Sequence, residues 1–586
     1  MPSLFLLVWG LVPIVMLSKF EDQFYALKWL CIIALAIACA GFLAHRAWRG
    51  KAVRPGPWLL PMILLLATQV ASLASVINPG VYAFSVSAWL AIAIVMLYVS
   101  DAGVDPEKLA RVTALQNIAV LVPALAVILG GIRVFWPINE AGTTVGARNA
   151  VSIHLAQLIP ILLMPQLWKG GRKGRGWTIL AAILITLNLY VILVNRTRSA
   201  WIVIGFYAAV LLAALVWRKG RDLRPIVHRY FGALGVACLL LFAVPTQFRW
   251  TSSTPYLDSL KNIASLERSS GRDQVMKVEL QMARENPLVG CGAGHFLVRF
   301  NETAPRSGAD SDAFAYRSVQ CGYNEFIRAA AESGLLGAIA TILLGLFLPV
   351  WVLLRRSGAI GGSELSLALL ALAAVGTSLN AMVECPFFRP SSMLVFGVAL
   401  AAAGRGLPSP FRLRLPTVKP RQLTWLLVGS AAVLALVLVP ATVSLMVRRH
   451  ALANWKEMTD DSKRRALDVA YSLWKWDQWP KNLAGLRFRA GDLAGAEAFA
   501  KDRQRLWPLY DDSVMVNAAV HQLKGNFGDA LDQYRILFRH YGRCPSWPLE
   551  RYQEMINSKE FPKDLRLRPE ELGVCREEWQ RKAGST

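Results

Sequence analysis

Acidic side chains are scarce in this sequence: 39 Asp and Glu face 64 Lys and Arg, a formal charge of +25. Metal-ligand spacing is missing too. Eight cysteines and seven histidines form no CxxC pair and no His/Cys pattern of a metal site, so neither a metal nor a cofactor is expected. The glycine cluster GCGAGHF (290–296) is no phosphate loop, because its GxGxxG is incomplete and no strand precedes it. Period-two alternation is absent from the apolar runs, which excludes a membrane β-barrel and leaves helices. The opening stretch MPSLFLLVWGLVPIVML has no basic leader and no evident cleavage site, so it is expected to be a retained anchor.

Apolar length is abundant. The chain is 54% hydrophobic with a mean hydropathy of +0.38, and about 20 apolar residues cross a bilayer. Thirteen spans are expected, at 4–18, 25–44, 58–77, 84–99, 111–130, 149–167, 177–195, 199–217, 229–246, 334–354, 364–383, 391–404 and 424–446. The expected fold is an all-α polytopic helical membrane protein of about 12–13 transmembrane helices. Its units are N-terminal spans (1–246), a large periplasmic loop (247–333), C-terminal spans (334–446) and a periplasmic helical domain (447–586).

Basic residues concentrate in alternate short loops, among them Arg46, Arg49, Lys51 and Arg54, then Arg218, Lys219, Arg221 and Arg224, then Arg355 and Arg356. That is the positive-inside pattern. It puts the N-terminus in the cytoplasm and both the long loop and the tail outside, with the cations near anionic membrane lipids. No basic patch is interleaved with aromatics, so nucleic acid is not an expected partner. Cys31, Cys39 and Cys238 fall within spans. Cys291, Cys321, Cys385, Cys544 and Cys575 fall outside, where disulfides can form, and Cys544 with Cys575 is the favoured pair.

The tail carries a repeat. GDLAGAEAF starts at Gly491 and GNFGDALDQY at Gly525, an offset of 34 residues that aligns Ala496 with Ala530 and Ala500 with Tyr534. A helix–turn–helix of that period resembles the tetratricopeptide repeat, an architecture suited to docking a protein or polymer.

Two segments of the long loop hold order. In SSGRDQVMKVELQMARENPLVGCGAGHF, a Ser cap starts a helix with Arg272 in its first turn, Val275, Met276, Leu280 and Ala283 supply an apolar face, and Asn286-Pro287 stops it. A cation at a helix N-terminus opposes the macrodipole. In QCGYNEFIRAAAESGLLG (320–337), Glu325 and Arg328 are spaced for an ion pair. Arg196 and Arg198 interrupt the apolar stretch VNRTRSAWIVIGF. Snorkelling at a span end is one account of them, although the positive-inside bias prefers arginines at the other end.

Four segments in order, VGARNAVSIHLAQLIPILL (145–163), NRTRSAWIVIGF (195–206), GRDQVMKVELQMARENPLVGCGAGHF (271–296) and YNEFIRAAAESGLLG (323–337), resemble the O-antigen ligase and polymerase superfamily of bacterial inner-membrane glycosyltransferases. The resemblance implies an inverting, metal-independent transfer of a glycan from undecaprenyl pyrophosphate to a lipid, glycan or protein acceptor. It assigns Arg196, Arg198 and Arg272 to the pyrophosphate, whose leaving charge guanidinium groups stabilise. Asn324 is the acceptor-positioning residue, and Tyr323, Glu325 and Arg272 are the catalytic candidates. Tyr323 stands where many members have the histidine that serves as general base. A phenol with an ordinary pKa near 10 is a poor base, so Glu325, Glu332 and His295 are the alternatives, with a structural role favoured for His295 and packing expected for His154. Two other readings remain open: a transporter or flippase of lipid-linked glycans, or a catalytically silent scaffold for polysaccharide assembly that uses its tail.

Overall fold

The computed structural model describes residues 1–15, 25–130, 148–167, 172–218, 223–247, 256, 272–309, 321–357, 362–411, 418–474, 483, 487–488, 490–507, 511–540, 546–558, 561–562 and 567. Among these residues there is no β-strand, and the chain is an all-α multi-pass membrane protein. The helices of the membrane body are α1 (Pro2–Leu11), α2 (Ala26–Trp48), α3 (Leu59–Ala71), α4 (Pro79–Ala102), α5 (Pro106–Gly130), α6 (Arg148–Leu163), α7 (Arg172–Asn195), α8 (Arg198–Arg218) and α9 (Arg224–Ala243). Two helices, α10 (Arg272–Glu285) and α11 (Phe296–Thr303), lead to α12 (Glu325–Ile342), α13 (Leu348–Ser357), α14 (Gly362–Ala381), α15 (Pro390–Gly404) and α16 (Pro420–Ala453). The tail is built from α17 (Asp460–Leu473), α18 (Leu493–Leu506), α19 (Asp511–Leu523), α20 (Phe527–His540) and α21 (Ser546–Ile556).

Nine described helices are long and apolar enough to cross a membrane, and four shorter apolar helices complete the set. The shorter ones are Pro2–Leu11, Leu59–Ser75, Arg148–Leu163 and Pro390–Gly404. Each lies within or overlaps one of the thirteen expected spans. Helices α12 and α13 run on through a π-turn, Leu343–Phe347, as one crossing. One apolar core joins the body, from Trp9 and Ile33 through Val95, Leu121 and Leu158 to Ala371 and Val398. Polar side chains inside it find partners across helices: the Trp9 indole donates to Thr113 at 3.0 Å, the Trp58 indole to Ser100 at 2.9 Å, and Asn117 to Asn188 at 3.1 Å. Such pairing is the condition for burying polar groups in an apolar medium. His154 lies in this interior, 3.1 Å from the Gln116 amide.

Several basic loops meet at one end of the body. Arg46 pairs with Asp101 at 2.8 Å, Arg356 donates to the Ala403 carbonyl at 2.7 Å, and Arg356 also reaches the Arg405 carbonyl. The opposite end carries Tyr25, the α7–α8 turn and α10.

In the tail, α18 and α20 are both 14 residues long and begin 34 residues apart, each preceded by a glycine in the left-handed region, Gly491 at φ 76° and Gly525 at φ 75°. Ala496, Ala500, Ala530 and Tyr534 are all fully buried. The tail is packed onto the body: Val81, Val298, Leu467, Tyr471, Phe499, Leu506 and Trp507 form one apolar cluster. At its edge Asn78 caps α4, its carboxamide oxygen accepting from Val81 N at 3.1 Å while its Nδ2 donates to the Leu506 carbonyl at 3.3 Å.

Candidate active site

The turn between α7 and α8 is tied to the start of α6. Asn195 donates to Ser152 Oγ at 3.1 Å, and the Thr197 hydroxyl donates to Asn149 Oδ1 at 3.2 Å. Arg196 is the sole described non-glycine residue at positive φ, 55°. A left-handed conformation costs a residue with a Cβ about 1 kcal/mol or more relative to glycine. The chain places an arginine there all the same. Two residues on, Arg198 opens α8 within electrostatic reach of Arg272.

Arg272 is the first described residue of α10. Its guanidinium pairs with the Glu384 carboxylate and lies over the Tyr323 ring, 5.0 Å from the centroid. Nη1 also donates to the Val383 carbonyl at 3.4 Å. Glu384 offsets the poor fit of a cation at a helix N-terminus. Its Oε1 is shared by Arg272 and Asn149 Nδ2, the latter at 3.4 Å, while Oε2 takes Arg389 at 3.2 Å. Arg389 is bonded in turn to the Tyr25 hydroxyl.

The first turns of α12 fasten this segment. Asn324 caps the helix, its Oδ1 accepting from Phe326 N at 3.0 Å and Ile327 N at 3.1 Å, and its Nδ2 donates to the Met382 carbonyl at 2.9 Å. Glu325 Oε1 accepts from the amides of Phe387 and Phe388 at 2.8 and 3.1 Å, and Oε2 pairs with Arg328 at 2.6 Å. A disulfide, Cys321–Cys385, joins the two strips covalently. The expected partners Cys544 and Cys575 lie outside the described residues, so that pairing stands apart from this one. Tyr323 is held beside Glu384 by this arrangement. Burial pushes its phenol above the ordinary value, Glu384 adds to the push, and Arg272 and Arg389 oppose it.

Behind these residues sits the glycine turn. Helix α12 breaks at Gly334, φ 72°, where a Cβ would overlap the Leu288 carbonyl. The backbone groups freed by the break pair with the turn: Leu335 N donates to Pro287 O at 2.8 Å, Cys291 N to Ala331 O at 2.8 Å, and Gly292 N to Glu332 O at 3.0 Å. The Glu332 carboxylate accepts from Phe296 N at 3.2 Å and from the Gly294 amide. His295 Nε2 accepts from Ile77 N at 3.2 Å and Asn78 N at 3.0 Å, which requires the neutral ring with its proton on Nδ1, beside Ala293 O at 3.0 Å. Burial lowers its pKa to about 4. His295 is thus committed to the fold.

The apolar face of α10 differs from the expected one. Val275, Val278, Glu279 and Met282 are buried, whereas Leu280 is 40% exposed. The helix packs by its 275/278/279/282 stripe against α12, so Glu279 is carried inside. Among the described residues neither of its carboxylate oxygens has a hydrogen-bond partner. Burial raises its pKa well above the ordinary range, Arg328 opposes the shift, and Glu325 and Glu332 reinforce it.

Residues 180–342 match the family model of O-Antigen ligase. The matched stretch contains Arg196, Arg198, Arg272, Tyr323, Asn324 and Glu325. It supports an O-antigen ligase-type membrane enzyme of the O-antigen ligase superfamily. No curated protein matches the chain.

The structure gathers Arg198, Arg272, Tyr323, Asn324 and Glu325 at one end of the body, with Arg196 two residues from Arg198. Glu384 and Arg389 were missed in the sequence. Both lie outside the matched residues, in the short connection between α14 and α15. The signal in the sequence is two opposite charges flanking a cysteine and a proline in a short loop.

Proposed function

We propose that the protein is a bacterial inner-membrane glycosyltransferase that ligates or polymerises a surface polysaccharide from an undecaprenyl-pyrophosphate-linked donor. The placement of Arg272 over the Tyr323 ring and within electrostatic reach of Arg198, on a separate helix, carries this reading. Guanidinium groups fixed near a water-poor interface stabilise the charge that a departing diphosphate accumulates. Arg196, Arg198 and Arg272 hold the diphosphate at the periplasmic face, opposite the basic loops, which face the cytoplasm. Tyr323, whose raised pKa keeps its hydroxyl protonated, donates a hydrogen bond to the acceptor. Asn324 sets the acceptor position through α12. Glu325, with its oxygens engaged by two amides and Arg328, is a positioning residue that keeps the 382–389 strip in place. The tail, with its 34-residue recurrence, is a tetratricopeptide-like dock for a protein partner of the assembly machinery.

The test uses the full chain in lipid nanodiscs or vesicles, a synthetic polyprenyl-diphosphate glycan and a set of hydroxyl acceptors. Transfer that falls at least about 100-fold in Arg198→Ala and Arg272→Ala supports the enzyme. Transbilayer movement of donor without transfer would establish a transporter instead, and binding without either would establish a scaffold.

A further inference from the structure

We propose that Glu384 is the general base of the transfer, released for that task when the donor's diphosphate draws Arg272 away from it. The inference rests on the glycosyltransferase reading above and supplies the base that Tyr323 cannot.

Glu384 is a buried carboxylate at the centre of the arginine cluster beside Tyr323. Its side chain is 1% exposed, and the 21%-exposed Arg272 side chain lies against it. Arg272 is therefore the more exposed of the two counter-ions of this carboxylate, the other being Arg389. The two oxygens are held differently. Oε2 is kept by Arg389, itself anchored by Tyr25, and Oε1 is shared by Arg272 and the longer Asn149 contact. Removing Arg272 leaves the carboxylate oriented through Oε2 and Asn149 and opens a lone pair on Oε1. Tyr323, over whose ring Arg272 lies, borders the same opening. The disulfide at Cys385 and the amide bonds to Glu325 hold the backbone on either side of the carboxylate.

A diphosphate competes well for Arg272, because it offers several anionic oxygens to the same bidentate fork. In the exchange Arg272 passes from carboxylate to diphosphate, next to Arg198. The acceptor hydroxyl oxygen then forms a bond to the anomeric carbon. The bond from that carbon to the diphosphate oxygen breaks, and its electron pair leaves with the diphosphate. The hydroxyl proton goes to Glu384 Oε1. When the diphosphate departs, Arg272 returns and the proton is shed to water. A base idle until the donor is seated protects the donor from hydrolysis.

The test measures two quantities on Glu384→Gln, Glu384→Ala and wild type in nanodiscs: affinity for inorganic pyrophosphate, and single-turnover transfer from the polyprenyl-diphosphate glycan. The expected result is a loss of transfer of about 100-fold or more with pyrophosphate bound several-fold more tightly, because the competitor for Arg272 is gone. Added formate is expected to restore part of the transfer in Glu384→Ala. Glu384→Gln transferring within about threefold of wild type, or losing pyrophosphate affinity together with transfer, overturns the proposal and leaves the wider reading intact. A wild-type protein that neither binds pyrophosphate nor transfers overturns the wider reading itself.

Discussion

Helix α10 enters two electrostatic neighbourhoods that handle buried charge in opposite ways. At its first described residue, Arg272 lies within electrostatic reach of Arg198 and shares Glu384 with Arg389. Two turns on, Glu279 lies among Glu325, Glu332 and Arg328. The first region is built from several arginines about one carboxylate, the second from several carboxylates about one arginine. In the second, Glu325 and Glu332 accept from backbone amides, whereas burial pushes the Glu279 pKa well above the ordinary range. In the acid-rich region Arg328 and backbone amides answer Glu325 and Glu332 from within. In the arginine-rich region one carboxylate answers two guanidinium groups, an arrangement that an incoming anion can rearrange.

The sharpest way to break this comparison is Arg272→Ala. Transfer is expected to fall about 100- to 1,000-fold, the size of losing one preorganised donor to a developing oxyanion, whereas Arg272→Lys retains part of the rate. A near-normal rate in single-turnover assays with Arg272→Ala would remove the region's functional meaning. Next is Cys321→Ser with Cys385→Ser. Opening this loop is expected to cost about 2–4 kcal/mol of stability, seen in thermal unfolding with and without reductant. Transfer is expected to drop about tenfold as Tyr323 and Glu384 drift apart.

Glu279→Gln sharpens the contrast from the other side. As pH rises past about 4.5 the unfolded chain releases the Glu279 proton while the folded chain keeps it, so native Glu279 lowers stability with rising pH. Gln does not titrate. The variant is expected to unfold at a higher temperature than wild type, with the gap widening as pH rises above about 4.5, and to transfer within about twofold of wild type. The smallest expected effect is that of Arg196→Gly. Relief of the left-handed arginine adds about 1 kcal/mol of stability, and pyrophosphate affinity falls by less than about tenfold. Unchanged affinity would detach Arg196 from the diphosphate.

The membrane body was legible because hydropathy is a local property: the thirteen apolar runs reappear as nine long helices and four short ones. The stop of α10 before Asn286-Pro287 was legible from proline chemistry. The Glu325–Arg328 pair followed from helical spacing. What escaped was long-range. Arg272 and Glu384 are 112 residues apart, and nothing local to either one names the other. The Cys321–Cys385 pairing escaped for the same reason, since spacing carries no connectivity. Glu279 escaped because a glutamate among helix formers reads as solvent-facing until α12 is seen against it.

Asn78 gives the molecule a mechanical property. Its side chain grips the end of α18 while its backbone amide rests on His295, at the edge of the glycine turn that braces α12. The tail is accordingly no passenger on a slack tether. A load or a bound partner that shifts α18 would reach the turn that braces α12 by two routes, the Asn78 hydrogen bonds and the apolar cluster of Val81, Val298, Phe499 and Leu506.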